Sequence, residues 1–280
     1  MRLLITGASG ELGGPLLQTA QQTRGIKAIG TTFSQVVPGA VQVDLRDEVM
    51  TIALIGQARP DAIIHTALSE RSPNFEEAIP EVGELLATIT RREGIRLVAM
   101  STDMVFDGEA PPYSIEDRPT GRSAYGRAKA AMEERILAEN PQAAIVRTSL
   151  LYDFHAENRQ ISWMVEKVEA GEPVRLFTDE IRQPIWVWDL ARALTTLCEN
   201  DRVGILHVAG PEALSRYDYG LALLEATGLR ARATIEAVRA AEVAPQRPRD
   251  VTMVLSKVPT PIRTVGEAAA ASGPSDLDHD

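Results

Sequence analysis

The sequence predicts an α/β chain built on a doubly wound parallel sheet, and three observations carry that expectation. Short apolar runs alternate with longer amphipathic ones from the first residues onward. A glycine-punctuated turn, TGASGELGG, follows the first apolar run directly. A later run, AAIVRTS at 143–149, returns to the strand pattern after a long helix-like segment. Such β-α alternation closes into a sheet through right-handed crossovers.

Taken in order, RLLIT (2–6) is the first strand, 12–23 a helix, KAIGTT (27–32) the second strand and VQV (41–43) the third. A helix at 48–58, DAIIHT (61–66), a helix at 76–92 and RLVAMS (96–101) continue the rhythm, giving about five strands in the first hundred residues. After a loop at 107–120 rich in proline and acids, SAYGRAKAAMEERILAE reads as a helix with Ser123 as its N-cap. Beyond AAIVRTS the pattern loosens: a helix at 161–170, the strand PIWVW (184–188), a helix at 189–199, the strand ILHVAG (205–210) and a helix at 218–226.

Composition narrows the function. A chain of 280 residues, 44% hydrophobic, buries a large core. Its formal charge of -10 opposes a nucleic-acid or acidic-membrane partner, because a phosphate polymer is repelled overall. A single cysteine, Cys198, rules out an internal disulfide and a cysteine metal cluster, and the four histidines are scattered, so no metal is expected. No apolar window approaches the length of a membrane span and the first residues do not form a leader, so a cytoplasmic protein is expected.

The glycine turn points to a ligand. Gly7, Gly10 and Gly13 stand where a strand turns into a helix, letting backbone approach a diphosphate and aiming helix amides at its charge. The second strand ends in GTTFSQ (30–35), with no acid for a ribose 2′-hydroxyl. Thr31, Thr32 and Ser34 could accommodate a 2′-phosphate, although the arginine expected nearby is missing; the expected cofactor is NADPH, with NADH possible. Asp44 and Leu45 follow the third strand, placed for an adenine edge, while Asp44 equally suits a helix N-terminus.

MSTDMVFDG (100–108) closes the fifth strand with Ser101, Thr102 and Asp103, and YGRAK follows on the next helix. Tyr125 and Lys129, four residues apart, share one helix face. STDMVFDG, YSIEDRPT and YGRAKAAMEE together resemble the extended short-chain dehydrogenase/reductase superfamily, and within it the dTDP-4-dehydrorhamnose reductase branch. RTSLLYD, RQPIWVWDLARAL, GILHVAGPEALSRYDYG and RPRDVTMVLSKV extend the similarity to about residue 260.

The resemblance implies an NAD(P)H-dependent reductase of a 4-keto-6-deoxy nucleotide-sugar or a related carbonyl. Tyr125 would be the general acid, Thr102 a hydrogen-bond donor to the carbonyl, and Lys129 the cation that binds the nicotinamide ribose and lowers the Tyr125 pKa from about 10. Implied cofactor contacts are Gly7, Ser9, Gly10, Glu11, Leu12, Thr32, Ser34, Asp44, Leu45, Thr66, Ala67, Ser101, Tyr125 and Lys129. Asp103, Val105, Phe106, Arg182 and Arg247 would meet substrate, with Arg147 and Arg249 as further diphosphate candidates. Trp163, Trp186 and Trp188 could stack on a base or sugar, or pack the lobe.

The expected division is a Rossmann domain at 1–150 with returning segments near 183–210, a sequence-interleaved substrate lobe mainly at 151–265, and a mobile acidic tail at 266–280. His65 stands where relatives often carry asparagine or a small residue; a satisfied strand-end histidine is the plainer reading of it. Two other functions remain open: an epimerase or dehydratase holding NAD tightly, and a non-catalytic NADP-binding regulatory subunit. A dehydratase would carry an acid pair beside the strand-end threonine, where this chain has Asp103 and Met104. The resemblance implies a nucleotide-sugar as the small-molecule partner, and a homodimer is compatible with the sequence.

Overall fold

The computed structural model describes residues 1–155 and 158–272. Its strands are β1 (Arg2–Thr6), β2 (Lys27–Thr32), β3 (Ala40–Gln42), β4 (Ala62–His65), β5 (Arg96–Thr102), β6 (Ala144–Thr148), β7 (Leu151–Tyr152), β8 (Val174–Phe177), β9 (Ile181–Arg182), β10 (Ile185–Trp186), β11 (Gly204–His207), β12 (Leu214–Ser215) and β13 (Ile235–Val238). The helices are α1 (Gly13–Gln22), α2 (Glu48–Ala58), α3 (Phe75–Glu93), α4 (Ala124–Glu139), α5 (Arg159–Glu169), α6 (Val187–Leu197), α7 (Arg216–Ala226), α8 (Ala240–Val243) and α9 (Val265–Ser272).

Seven strands form one sheet in the order β11-β6-β5-β4-β1-β2-β3, and every pairing in it is parallel. The order reverses beside β1, which leaves a crevice at the carboxyl ends of β1 and β4 where open sheets take ligands. Strand residues such as Ile63, Ile64, Val98, Ala99, Ile145 and Val146 are fully buried, as a sheet covered on both faces requires. Alternation sorts them: Ile64, Val98 and Val146 pack with Leu16, Leu17, Leu190 and Leu194 of α1 and α6. Ile63, Ala99 and Ile145 pack with Val82, Leu86, Met132 and Ile136 of α3 and α4.

Local chemistry sets the helix starts. Ser123 caps α4 by accepting from the Gly126 amide at 2.9 Å, as its position predicts. Asp47 caps α2 through the Met50 amide, and Asn158 caps α5 through the Gln160 and Ile161 amides.

The C-terminal half departs from the expected spans. PIWVW supplies only two strand residues, Ile185 and Trp186, which pair with β7 outside the main sheet, and α6 begins at Val187. Only Gly204–His207 of the returning segment joins the large sheet, against β6. Residues 265–272, mostly assigned to the tail, form α9, whose Val265 and Ala268 are buried; the hydrophobic spacing of VGEAAAAS is enough to seat one turn against the core. The remainder of the expected tail lies outside the described residues. Among the described residues no helix is long and apolar enough to cross a membrane, and no cluster of His, Cys, Asp and Glu could hold a metal.

Candidate active site

The glycine turn is shaped by close backbone approach. A Cβ built on Gly13 would stand 2.0 Å from the Gly7 carbonyl oxygen, and one on Gly7, whose φ is +79°, would stand 2.8 Å from the Ala67 Cα. A side chain at either position would push α1 or the β4 end out of place. Gly10, by contrast, is exposed, and so are Ser9 and Glu11. The result is an open cradle whose backbone a diphosphate can reach, above the amino end of α1. The Ala8 amide donates to the Thr31 carbonyl at 2.7 Å, tying the cradle to β2. Leu12, Thr32 and Leu45 are buried, and Ser34 is exposed beyond β2. Asp44 is held by Arg46 at 2.6 Å, an ion pair that lowers its pKa.

Glu11 reaches across to the second lobe, accepting from the Asn158 side-chain amide at 2.6 Å. Although the residue as a whole is exposed, its carboxyl end is covered at this contact, and that desolvation raises its pKa, with Arg159, the Asn158 hydrogen bond and Arg71 opposing. Thr66 donates its hydroxyl to the Thr6 carbonyl at 2.6 Å, and His65 is hydrogen-bonded through Nδ1 to Thr6 Oγ1 at 2.8 Å. Burial first, and then Lys129, push the His65 pKa down to about 3, so it is a neutral strand-end residue.

At the end of β5, Ser101, Thr102 and Asp103 are buried. Thr102 donates to Asp103 at 3.4 Å and accepts from the Met104 amide at 3.2 Å. Ser149 donates to Asp103 at 2.6 Å, and Arg182 approaches the same carboxylate at 3.9 Å. Burial nevertheless raises the Asp103 pKa, outweighing Arg182 and the hydroxyls. Ser101 Oγ is buried with no hydrogen-bond partner among the described residues.

Helix α4 sits on this strand end. A Cβ on Gly126 would lie 2.1 Å from the Met104 carbonyl oxygen, and one on Gly121 only 2.3 Å from the same atom. The glycine in YGRAK therefore sets how near Tyr125 comes to Thr102 and Asp103, a role that the sequence reading gave to none of the residues between Tyr125 and Lys129. Lys129 is buried and donates to the Met100 carbonyl at 3.0 Å; burial lowers its pKa to about 8, with Glu133 opposing.

The expected lowering of the Tyr125 pKa by Lys129 is reversed. The half-buried phenol is pushed above its ordinary value by burial, then by the Glu70 and Asp103 carboxylates. The Lys129 amine is turned to the Met100 carbonyl and stands 6.0 Å from the Tyr125 ring centroid, so it does not offset them.

Several residues expected at substrate are engaged in packing. Val105 and Phe106 are fully buried in an apolar cluster with Tyr113 and Met253, Phe106 stacking on Tyr113 at 4.0 Å between centroids. Arg147 lies in β6, 2% exposed, bound to Glu133 at 2.7 Å and within 3.4 Å of His207. Its burial in an ion pair removes it from the diphosphate candidates. Trp186 and Trp188 both donate to Asp153 at 3.0 Å.

Arg247 and Trp163, both named from the sequence, line a basic cavity; what sequence reading missed is the company that Arg71, Arg159, Arg175, Arg216 and Phe177 keep with them. The cavity has a volume of about 530 Å³ and is lined by Arg71, Arg159, Arg175, Arg216 and Arg247, with Trp163, Phe177 and one acid, Glu166; Arg175 is paired with Glu236 at 2.9 Å. These arginines come from separate elements, so no single stretch of sequence announces them. Arg247 is held by Glu180 at 2.6 Å, and Glu180 also binds Arg182 at 3.2 Å, which links the cavity to Asp103. Arg249 is exposed.

A parallel sheet with a glycine cradle at its first turn, a Ser-Thr-Asp strand end and a Tyr-x-x-x-Lys helix seated on it define an extended short-chain dehydrogenase/reductase. The family model of the RmlD substrate binding domain matches residues 1–268, and the chain belongs to that family. Methionine adenosyltransferase 2 subunit beta from Rattus norvegicus is 30% identical over 275 residues, covering 92% of this chain and 82% of that protein. A crystal structure of a dTDP-4-dehydrorhamnose reductase from Clostridium acetobutylicum superposes with a TM-score of 0.76 at 25% identity, covering 92% and 90% of the two chains. The fold is also that of a dTDP-4-dehydrorhamnose reductase from Bacillus anthracis solved with NADP, with a TM-score of 0.79 at 22% identity, covering 96% of each chain.

Proposed function

We propose that the chain is an NADPH-dependent reductase of a 4-keto-6-deoxy nucleotide-sugar, with residues 1–150 and β11 holding cofactor and the remainder mainly holding substrate. The observation that carries this reading is the basic cavity linked through Arg247, Glu180 and Arg182 to Asp103. In a chain of net charge -10, five arginines around one cavity collect an anion such as a nucleoside diphosphate. Trp163 and Phe177 offer flat apolar surface to a base or sugar.

The cradle at Gly7, Gly10 and Gly13 fits the cofactor's diphosphate because its tight backbone turn, which a side chain at Gly7 or Gly13 would force apart, sits at the amino end of α1. When bound, the cofactor supplies the hydride. Tyr125 supplies the proton to the oxygen of the reduced carbonyl, and its raised pKa keeps it in the donor form at neutral pH. Thr102, which now donates to Asp103, can turn its hydroxyl to the carbonyl oxygen. Lys129 lies under Tyr125 with its charge available to the ribose and to the proton path. Tyr125→Phe should lower kcat about 10²- to 10⁴-fold with little change in cofactor affinity. NADPH consumption with a panel of keto-sugar nucleotides measures it, and full activity in the variant would remove Tyr125 as the acid.

A second reading is a regulatory subunit, favoured by the 30% identity to methionine adenosyltransferase 2 subunit beta. It predicts NADPH binding without turnover on the same panel, together with stable association of the purified chain with a catalytic subunit.

A further inference from the structure

The end of β2 is where an adenosine ribose is read in sheets of this topology. Here that position carries no charge of either sign: residues 28–43 contain no Asp, Glu, Lys or Arg. The fold brings a charge to it from the next strand. Thr32 pairs with Gln42, the Val43 amide donates to the Thr32 carbonyl at 2.8 Å, and the Gln42 side chain donates to the Phe33 carbonyl at 3.0 Å. Residues 43–46 therefore run beside 32–34, at the same end of the sheet as the glycine cradle that Ala8 ties to Thr31.

Arg46 uses this proximity. Its guanidinium carbon stands 5.2 Å from the centroid of the Phe33 ring, and its Nε and Nη2 grip Asp44 at 2.9 and 2.6 Å. The aromatic face and the carboxylate fix the plane of the guanidinium, while Nη1 takes no part in the Asp44 pair. The arginine side chain is one-third exposed, so the pair with Asp44 is screened and weak enough for a dianion to compete for the same N–H groups. Asp44, the first acid after β2, has both oxygens turned to Arg46.

We infer that Arg46, folded over Phe33, binds the 2′-phosphate of NADPH and makes the chain prefer NADPH to NADH. This rests on the reading of the chain as a nicotinamide-dependent protein. Phe33 holds the guanidinium in place, and Ser34 and the open backbone beyond Thr32 lie beside it.

The test is equilibrium titration of the full chain with NADPH and with NADH, followed by cofactor fluorescence, for the unaltered protein, Arg46→Ala and Arg46→Lys. The unaltered chain should bind NADPH about 10- to 100-fold more tightly than NADH, the range expected for charge-assisted contacts to one phosphate. Arg46→Ala should lose most of that ratio through weaker NADPH binding alone, with NADH within about twofold of the unaltered protein. Arg46→Lys should fall between, since an ammonium keeps the charge without the fork. An unchanged ratio in Arg46→Ala, or equal weakening toward both cofactors, would overturn the inference and leave Arg46 as packing for Phe33. A chain that bound neither cofactor would overturn the nicotinamide reading and this inference with it.

Discussion

Lys129 shows how burial at a single residue ties folding to pH. Its ammonium lies 3% exposed against the Met100 carbonyl, and desolvation brings its pKa from 10.5 to about 8. Below pH 8 both the folded and unfolded chains carry the proton, and the fold bears the full burden of the buried charge. Between pH 8 and 10.5 the folded chain sheds it first, so the unfolded chain binds more protons and stability rises with pH. The gain attributable to Lys129 over that window is on the order of 3 kcal/mol. Denaturant midpoints followed with pH should rise more steeply across this window in the unaltered protein than in Lys129→Met, and parallel curves would place the lysine in a wetter setting than the structure shows. At this scale the sequence places Tyr125 and Lys129 on one helix face and expects the amine's charge at the phenol, whereas the amine is turned to the Met100 carbonyl. Spacing on a helix tells which residues share a face; it does not tell which carbonyl an amine will choose.

At the scale of elements, α4 and the end of β5 are held together by what two glycines lack. Gly121 and Gly126 both border the Met104 carbonyl at distances that leave no room for a methyl group. Gly126→Ala should tilt α4 away from the strand end and draw Tyr125 off Thr102. A displacement near 1 Å costs about 10²-fold in rate, so kcat should fall by that order while NADPH titration changes little; an unchanged kcat would mean the helix yields elsewhere. The long elements of the first half were legible because periodicity needs several turns or alternations to emerge, and β1, β2, β4 and β5 provide them. Strands β7, β9, β10 and β12 have two residues each, too few to show any period, and their partners are set by tertiary contact. Arg46 escaped for a related reason: its partner Phe33 lies thirteen residues earlier, just past the end of β2, and only the pairing of β2 with β3 brings the two together.

Over the whole molecule, charge is divided rather than uniform. The chain is acidic overall, yet one cavity gathers five arginines. Local field of this kind speeds the capture of an anion and is screened by salt. With NADPH saturating, kcat/KM for the nucleotide-sugar should fall roughly 3- to 10-fold as ionic strength rises from about 0.02 to about 0.3 M. A flat profile would take the arginine cavity out of substrate capture.

The position of β11 bears on how the chain is made. Every residue of β6 is buried, and one of its edges is covered only by Gly204–His207. During synthesis residues 1–148 emerge first, but the sheet they form stays open on that side until residue 207 has left the ribosome. Through the interval that adds residues 149–207, a nascent chain presents an apolar strand with unmet backbone groups to whatever other chains are near. The large sheet thus gains its last strand only when a segment more than fifty residues beyond β6 has been made.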